Sequence, residues 1–239
     1  TSSQSPGYYS TDEEVNITIN FSEEMTLTQG SLVATLETGS PDQTVEISFS
    51  DISNTLAASG TYTVQSGDLN TAGLSATLSI TGGGVLHDGT SDFTGNPTSS
   101  LAIGTTLAEG PYELYVETTS PIVNTLTSTS PDGSHGIGAV IPVVVSFING
   151  VGGDAENVEL SSGTIDITLE TGDNDGSVSI SSIADNSPTA TGNYTIAEDH
   201  VSSRLSATAL AVNGDGATIT DRYGNIAAAL SIPDGANLH

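Results

Sequence analysis

The 239-residue sequence predicts an all-β chain built from two tandem modules, and three observations carry that prediction. Short runs alternate apolar and polar residues with the period of a strand. The composition favours turns over helices, with 27 Gly, one Met and only 5% aromatic residues. And distinctive words are spelled twice, in the same order. LETG stands at 36–39 and again at 169–172, GTYTV at 60–64 is answered by GNYTI at 192–196, and LSATLSI at 74–80 by LSATALAV at 205–212. GNPTSSLAI at 95–103 pairs with GNIAAALSI at 224–232, and the SPG that starts at Ser5 pairs with the SPDG that starts at Ser130. The spacing drifts as loops of unequal length would make it drift, so the chain reads as two copies of one module of roughly 115–130 residues.

Each predicted strand follows from its alternation. VNITINF places Val15, Ile17, Ile19 and Phe21 on one face and Asn16, Thr18 and Asn20 on the other, and the second copy repeats this with Ile141, Val143, Val145 and Phe147. Further strands are expected over 31–37, 45–49, 61–65, 74–80 and 100–103, with equivalents at 164–170, 177–180, 193–197, 205–212 and 227–232. One more strand before each SPxG loop brings the count to about seven per copy. Seven short antiparallel strands joined by Gly, Asn and Asp turns describe an immunoglobulin-like β-sandwich of Greek-key topology. The boundary falls in YVETTSPI at 115–122, where Pro121 disfavours helix just before it, so the modules span 1–117 and 118–239.

Charge is the dominant compositional fact. Twenty-nine acidic residues oppose two basic ones, Arg204 and Arg222, for a formal net charge of −27. Such a surface repels nucleic-acid phosphates and anionic membranes, which need Lys and Arg to displace their counterions. Self-repulsion at this density calls for salt or divalent cations. There is no Cys, so no disulfide framework, and no Lys, so no isopeptide staple. No apolar run approaches the roughly 18 residues that span a bilayer. The opening TSSQ reads as part of something longer.

If the strands alternate direction, the loops after the first, third and fifth strands of copy one lie at the end facing copy two. These loops carry Asp12, Glu13, Glu14, Asp42 and Asp68. The facing loops of copy two carry Asp154, Glu156, Asp185, Asp215 and Asp221. The count requires residues 112–116 to be a connector rather than another strand. With Glu117 in the linker, this arrangement gathers carboxylates without a basic residue, and calcium, which takes six to eight oxygens, suits such a set. The expected ligands are Asp12, Glu14, Glu117, Asp154 and Glu156; the competing reading is a solvated acidic rim.

Other motifs point to structure. Asp173-Asn174-Asp175-Gly176 lacks the distal Glu of an EF-hand and is expected to form a hairpin turn with Gly supplying positive φ. His87, His135, His200 and His239 fit no metal spacing, and no nucleophile motif accompanies them. Gly82-Gly83-Gly84 lacks the GK[ST] ending of a phosphate loop.

ITINFSEEM at 17–25, LETG, GTYTV, the DxxGN element at 221–225 and the VETTSP linker followed by SPDGSHGIG together resemble the tandem bacterial Ig-like, cadherin-like repeats of large secreted surface proteins and adhesins. The second copy departs from the FSE step with Phe147-Ile148-Asn149, and the DxNDN calcium linker of true cadherins is missing. The resemblance implies non-enzymatic, extracellular spacer or adhesin repeats, often calcium-dependent, whose partners are neighbouring repeats and cell-surface polysaccharide or protein. Two alternatives stand beside it. One is a carbohydrate-binding module using Tyr8, Tyr9, Phe93 and Tyr223; the other is a subunit of a surface layer or filament.

Overall fold

The computed structural model describes residues 1–70, 72–88, 101, 113–234 and 238. Among the described residues the regular structure is β, apart from one 3-10 turn at Phe49–Asp51. The chain divides into two compact units, Thr1–Thr118 and Thr119–His239. Among the described residues no helix is long and apolar enough to cross a membrane.

The first unit contains β1 (Gly7–Tyr9), β2 (Glu14–Leu27), β3 (Ser31–Leu36), β4 (Gln43–Ser48), β5 (Thr55–Thr63), β6 (Leu69–Asn70), β7 (Ala76–Thr81), β8 (Leu86–Asp88) and β9 (Leu114–Glu117). They form three sheets, ordered β5-β2-β8, β4-β3-β7 and β1-β9-β6. Pairing is antiparallel except between β1 and β9, which run parallel with Tyr8 opposite Tyr115. Alternation decides which side chains turn inward. Val15 and Ile17 of β2, Tyr62 of β5, Ala34 and Leu36 of β3 and Val45 of β4 share one buried cluster, so the inner faces of two sheets meet there. Leu114 and Val116 of β9 belong to the same cluster.

The second unit contains β10 (Pro121–Ser128), β11 (Val140–Asn149), β12 (Val158–Leu160), β13 (Thr164–Glu170), β14 (Gly176–Ile180), β15 (Thr189–Thr195), β16 (Ser206–Asn213) and β17 (Ile219–Asp221). The sheets are β10-β11-β15, β12-β17 and β14-β13-β16, over one core that includes Phe147, Ile165, Ile167, Leu169 and Tyr194.

The two units repeat each other bond by bond. Asp12 N donates to Val64 O in the first unit, and Gly138 N to Ile196 O in the second; Glu13 O accepts from Val64 N, and Ala139 O from Ile196 N. Where β2 runs through with a register shift between Asn20 and Met25, the second copy breaks into β11 and β12 around a loop at 150–157. The shared glycine of GTYTV and GNYTI has a steric cause. A Cβ on Gly60 would lie 2.4 Å from Val45 Cγ1 and 3.3 Å from Ile47 Cγ1; on Gly192 it would lie 2.4 Å from Val178 Cγ1 and 2.8 Å from Ile180 Cγ1. Neither glycine needs its conformational freedom; each is small because the facing sheet presses on it.

Three expectations are corrected, and a fourth falls outside the described residues. Residues 227–232 form no strand: beyond the isolated bridge Thr220–Ile226 the chain is irregular, and Ala227, Leu230 and Ile232 satisfy their apolar pattern by packing on the core. The expected first-copy equivalent at 100–103 lies outside the described residues except Leu101. No strand precedes the first SPG; β1 begins at its Gly7, although Thr18 N donates to Thr1 O at 2.8 Å. And residues 114–117 are not a connector but β9, because burial of Leu114 and Val116 draws the segment between β1 and β6.

We expect Gly192→Ala to destabilise the second unit by about 1–3 kcal/mol through overpacking. Gly136→Ala, where an added Cβ meets nothing within 4 Å, should be close to neutral. Thermal unfolding of the two variants side by side checks the contrast.

Candidate functional site

The tetrapeptide LETG marks a closure that each unit builds in the same way. Its leucine, Leu36 or Leu169, is fully buried. Its threonine is buried too, and the hydroxyl accepts a backbone N–H across the hairpin, from Gln43 at 3.0 Å in the first unit and from Gly176 at 2.7 Å in the second. The threonine carbonyl then takes the N–H of Leu69 or Val201, each at 2.8 Å. Its glycine sits in the left-handed region, φ 106° at Gly39 and 99° at Gly172, and a Cβ there would lie 3.0 Å from Leu69 O or 3.2 Å from Val201 O. Two backbones therefore touch, and only glycine meets both conditions without strain. In the hairpin 173–176 it is this Gly172, not Gly176 as the sequence suggests, that carries positive φ.

Beside the closure, a buried tyrosine is anchored by a residue six positions later. In the first unit Tyr62 OH donates to Asp68 Oδ2 at 2.5 Å, the same oxygen accepts from Gln65 N at 2.8 Å, and Gln43 Nε2 donates to Oδ1 at 2.9 Å. Burial, and after it the hydrogen bond to Asp68, pushes the Tyr62 phenol well above its ordinary range. In the second unit the anchor is His200. Its Nδ1 lies 2.6 Å from Tyr194 OH and 3.4 Å from Ala197 N, and the two rings stack with centroids 5.7 Å apart. Burial raises the Tyr194 phenol, opposed by a hydrogen bond to Thr171, and burial together with the Glu13 charge raises Tyr9.

The expected calcium ligands fall on both units. Asp12 is exposed at φ 70°, the corner that glycine fills at Gly138 in the second copy. Glu14 is exposed and opens β2 opposite Thr63. Glu117 is buried at the end of β9 opposite Leu69, not in a linker. Asp154 is exposed in the loop after β11, where its carbonyl accepts from Asn149 N, and the half-buried Glu156 donates its N–H to Phe147 O. Among the described residues no group of three or more His, Asp or Glu side chains is placed to hold a metal ion. Two carboxylates expected on the rim are instead buried hubs: Asp68, as above, and Asp221, whose Oδ1 accepts from Tyr223 N and Asn225 N at 2.8 and 2.9 Å and whose Oδ2 accepts from Asn225 Nδ2 at 2.9 Å. The DxxGN word thus closes its own loop.

The aromatic candidates separate. Tyr8 is 41% exposed and stacks on Tyr115 with centroids 4.9 Å apart. Tyr9 packs on the core and donates to Ser5 O at 2.6 Å. The Arg222 guanidinium lies 4.5 Å from the centre of the Tyr223 ring, and Phe93 lies outside the described residues, as does His239. His87 is buried in β8.

Sequence reasoning missed one feature. The second unit carries a cleft of about 760 Å³ whose lining includes His135, Tyr194, Ile196, His200, Arg204 and Leu205. It joins one of the two guanidinium groups of the chain with two of its four histidines. The pairing of SPG with SPDG could have signalled it, since it aligns His135 with Tyr9. Set against known protein families and characterised proteins, the sequence matches none.

The raised tyrosines fix a pH dependence. A phenol held protonated in the fold contributes stability that is complete below the ordinary tyrosine pKa of about 10 and is lost as pH rises beyond it. Melting temperature should therefore fall above pH 10. Tyr62→Phe, which leaves the buried Asp68 short of a donor, should cost about 1.5–3 kcal/mol at pH 7 and flatten the alkaline slope of the first unit, as read by melting curves at stepped pH.

Proposed function

We propose that the chain is a pair of immunoglobulin-like β-sandwich repeats that act as a non-enzymatic spacer or adhesin segment of an extracellular surface protein. The observation that carries the reading is the duplication itself. The same closure, tyrosine anchor and compressed glycine recur in both units, so what the two copies hold in common is scaffold, and an array that repeats a scaffold sets length and spacing. Two inner sheet faces enclosing a core of alternating residues support the sandwich reading.

Calcium is the ion proposed to accompany this role. It would draw on Asp12, Glu14, Glu117, Asp154 and Glu156, of which Asp12, Glu14 and Asp154 present exposed carboxylates and Glu117 and Glu156 are less open. A divalent ion among them lowers the self-repulsion of a chain with net charge −27 and stiffens the array.

A second reading has one observation in its favour. The Tyr8–Tyr115 stack presents an aromatic face on the first unit, and such faces suit sugar rings. Glycan binding that survives chelator and is lost in Tyr8→Ala would select it over the spacer role.

For the calcium-stiffened spacer, calcium at roughly 10⁻⁴ to 10⁻³ M should raise the melting temperature and lengthen the particle in small-angle scattering, and chelation should reverse both. Identical curves with calcium and with chelator would remove the ion from the proposal.

A further inference from the structure

The central strands β2 and β11 agree on one side and differ on the other. Gly138 and Ala139 bond to Ile196 as Asp12 and Glu13 bond to Val64, so the two strands correspond position for position. Inward, Val15, Ile17 and Ile19 are answered by Ile141, Val143 and Val145. Outward, the first unit places Glu14, Asn16, Thr18 and Asn20, whereas the second places Val140, Pro142, Val144 and Ser146. The shared core dictates the inward residues and makes no demand on the outward ones.

In the first unit the outward groups satisfy one another. Thr18 Oγ1 bonds to Asn16 Oδ1 and Ser59 Oγ, each at 2.9 Å, and Asn20 Nδ2 donates to Thr1 Oγ1 at 2.8 Å. In the second unit the same side is apolar and open. Val140 is 53% exposed, and Ile122, which pairs with Ile148 across β10 and β11, is 42% exposed. With the half-buried Pro142, Val144 and Ile148 they form an apolar stripe along the middle of the sheet β10-β11-β15. The flanks of the stripe are neutral, with Thr125 and Thr127 on β10 and Thr191, Asn193 and Thr195 on β15. In a chain with 29 acidic residues, these outward positions hold neither a carboxylate nor a cation.

We propose that the outer face of β10-β11-β15 is a self-association surface, and that its occupant is the same face of a second copy of this chain. Charge selects the occupant. At a net charge of −27, two copies meet least repulsion where neither bears a charge, and a neutral face offers a charged partner nothing to pair with. Shape agrees with charge. Rows of Val, Thr and Ile are alike on both copies, so the two sheets pack about 10 Å apart with their side chains interdigitated. A two-fold axis relates them, which closes the pair and stops it growing. The 10 residues of β11, at about 3.3 Å each, and three strands about 4.8 Å apart make a face of roughly 450 Å². That is below the roughly 800 Å² per partner of a standard interface, so the pair is weak and reversible. This inference uses neither calcium nor the spacer role.

The test is sedimentation velocity of the whole chain from about 10 μM to about 1 mM, at low and at high salt, with chelator present so that no divalent ion bridges acidic surfaces. Expected is a reversible monomer–dimer equilibrium that strengthens with salt, because salt screens the acidic surfaces and leaves apolar contact intact. Val140→Glu combined with Val144→Thr installs the residues that the first unit carries at these positions. It should weaken the dimer at least about tenfold and leave the melting temperature of the second unit in place. Thr127→Glu, at an exposed position opposite Val144, removes no apolar contact and should also weaken the dimer, most at low salt; it decides the matter if the double variant fails to fold. Val201→Thr, 75% exposed but on no strand of this sheet, should change nothing. A chain that stays monomeric at every concentration and salt overturns the proposal. So does a dimer indifferent to the face variants, or an assembly that grows beyond two copies.

Discussion

Each unit depends on one point of contact, where the backbone after a buried threonine touches the backbone of the loop that follows the tyrosine strand. The threonine hydroxyl substitutes for a ladder partner, its carbonyl takes the N–H of the crossing segment, and the next residue must be glycine because a carbonyl oxygen lies at 3.0 Å or 3.2 Å from where a Cβ would be. From that contact the rest is positioned. The hairpin β3–β4 or β13–β14 is closed by it, the tyrosine of the opposite sheet reaches past it, and the residue six positions on turns back to receive the phenol. A short word in sequence is kept because four separate requirements, one apolar, one hydroxyl-bearing, one solvent-facing and one without a side chain, fall on consecutive residues.

The same geometry tolerates a change of chemistry at its rim. Asp68 holds Tyr62 with one oxygen and Gln43 with the other, while His200 meets Tyr194 and Ala197 through a single nitrogen and adds a stacked ring. A buried carboxylate needs every acceptor site filled, and the first unit supplies three donors. A half-buried imidazole needs fewer partners in the protein. The difference between the anchors thus tracks their burial.

Much of the fold was legible because strict alternation and repeated words are local signals. The inward residues of β2, β11 and β13 follow from period two alone, and the duplication follows from order. What the repeated words do was not legible: the thread from Thr38 to Leu69 and from Gly60 to Val45 joins residues far apart in the chain. β9 escaped because Leu-Tyr-Val-Glu beside Thr and Pro reads as a connector until a groove is there to receive it. Residues 227–232 misled in the opposite sense, since small alanines around Leu230 and Ile232 alternate as a strand does but are satisfied by packing. The proposed ion ligands depend on which loops meet, and Asp68 and Asp221 show why acidity alone misplaces them: a carboxylate flanked by turn residues is as easily recruited by backbone N–H groups as by an ion.

That last point bears on what the net charge means. Among the expected rim residues, Asp68 and Asp221 each accept three hydrogen bonds and serve the fold, whereas Asp12, Glu14 and Asp154 face water. Exposed charges separated by more than about 8 Å are largely screened at physiological ionic strength. Most of the repulsion implied by −27 is therefore relieved by salt of any kind, and it selects a medium rather than a ligand. A specific ion demands carboxylates within a few ångströms of one another, a condition on loop placement and not on composition. The Arg204–His135–His200 cleft obeys the same rule with the opposite sign: the chain holds only two Arg, and one of them matters because it is placed where two imidazoles and an apolar floor already are.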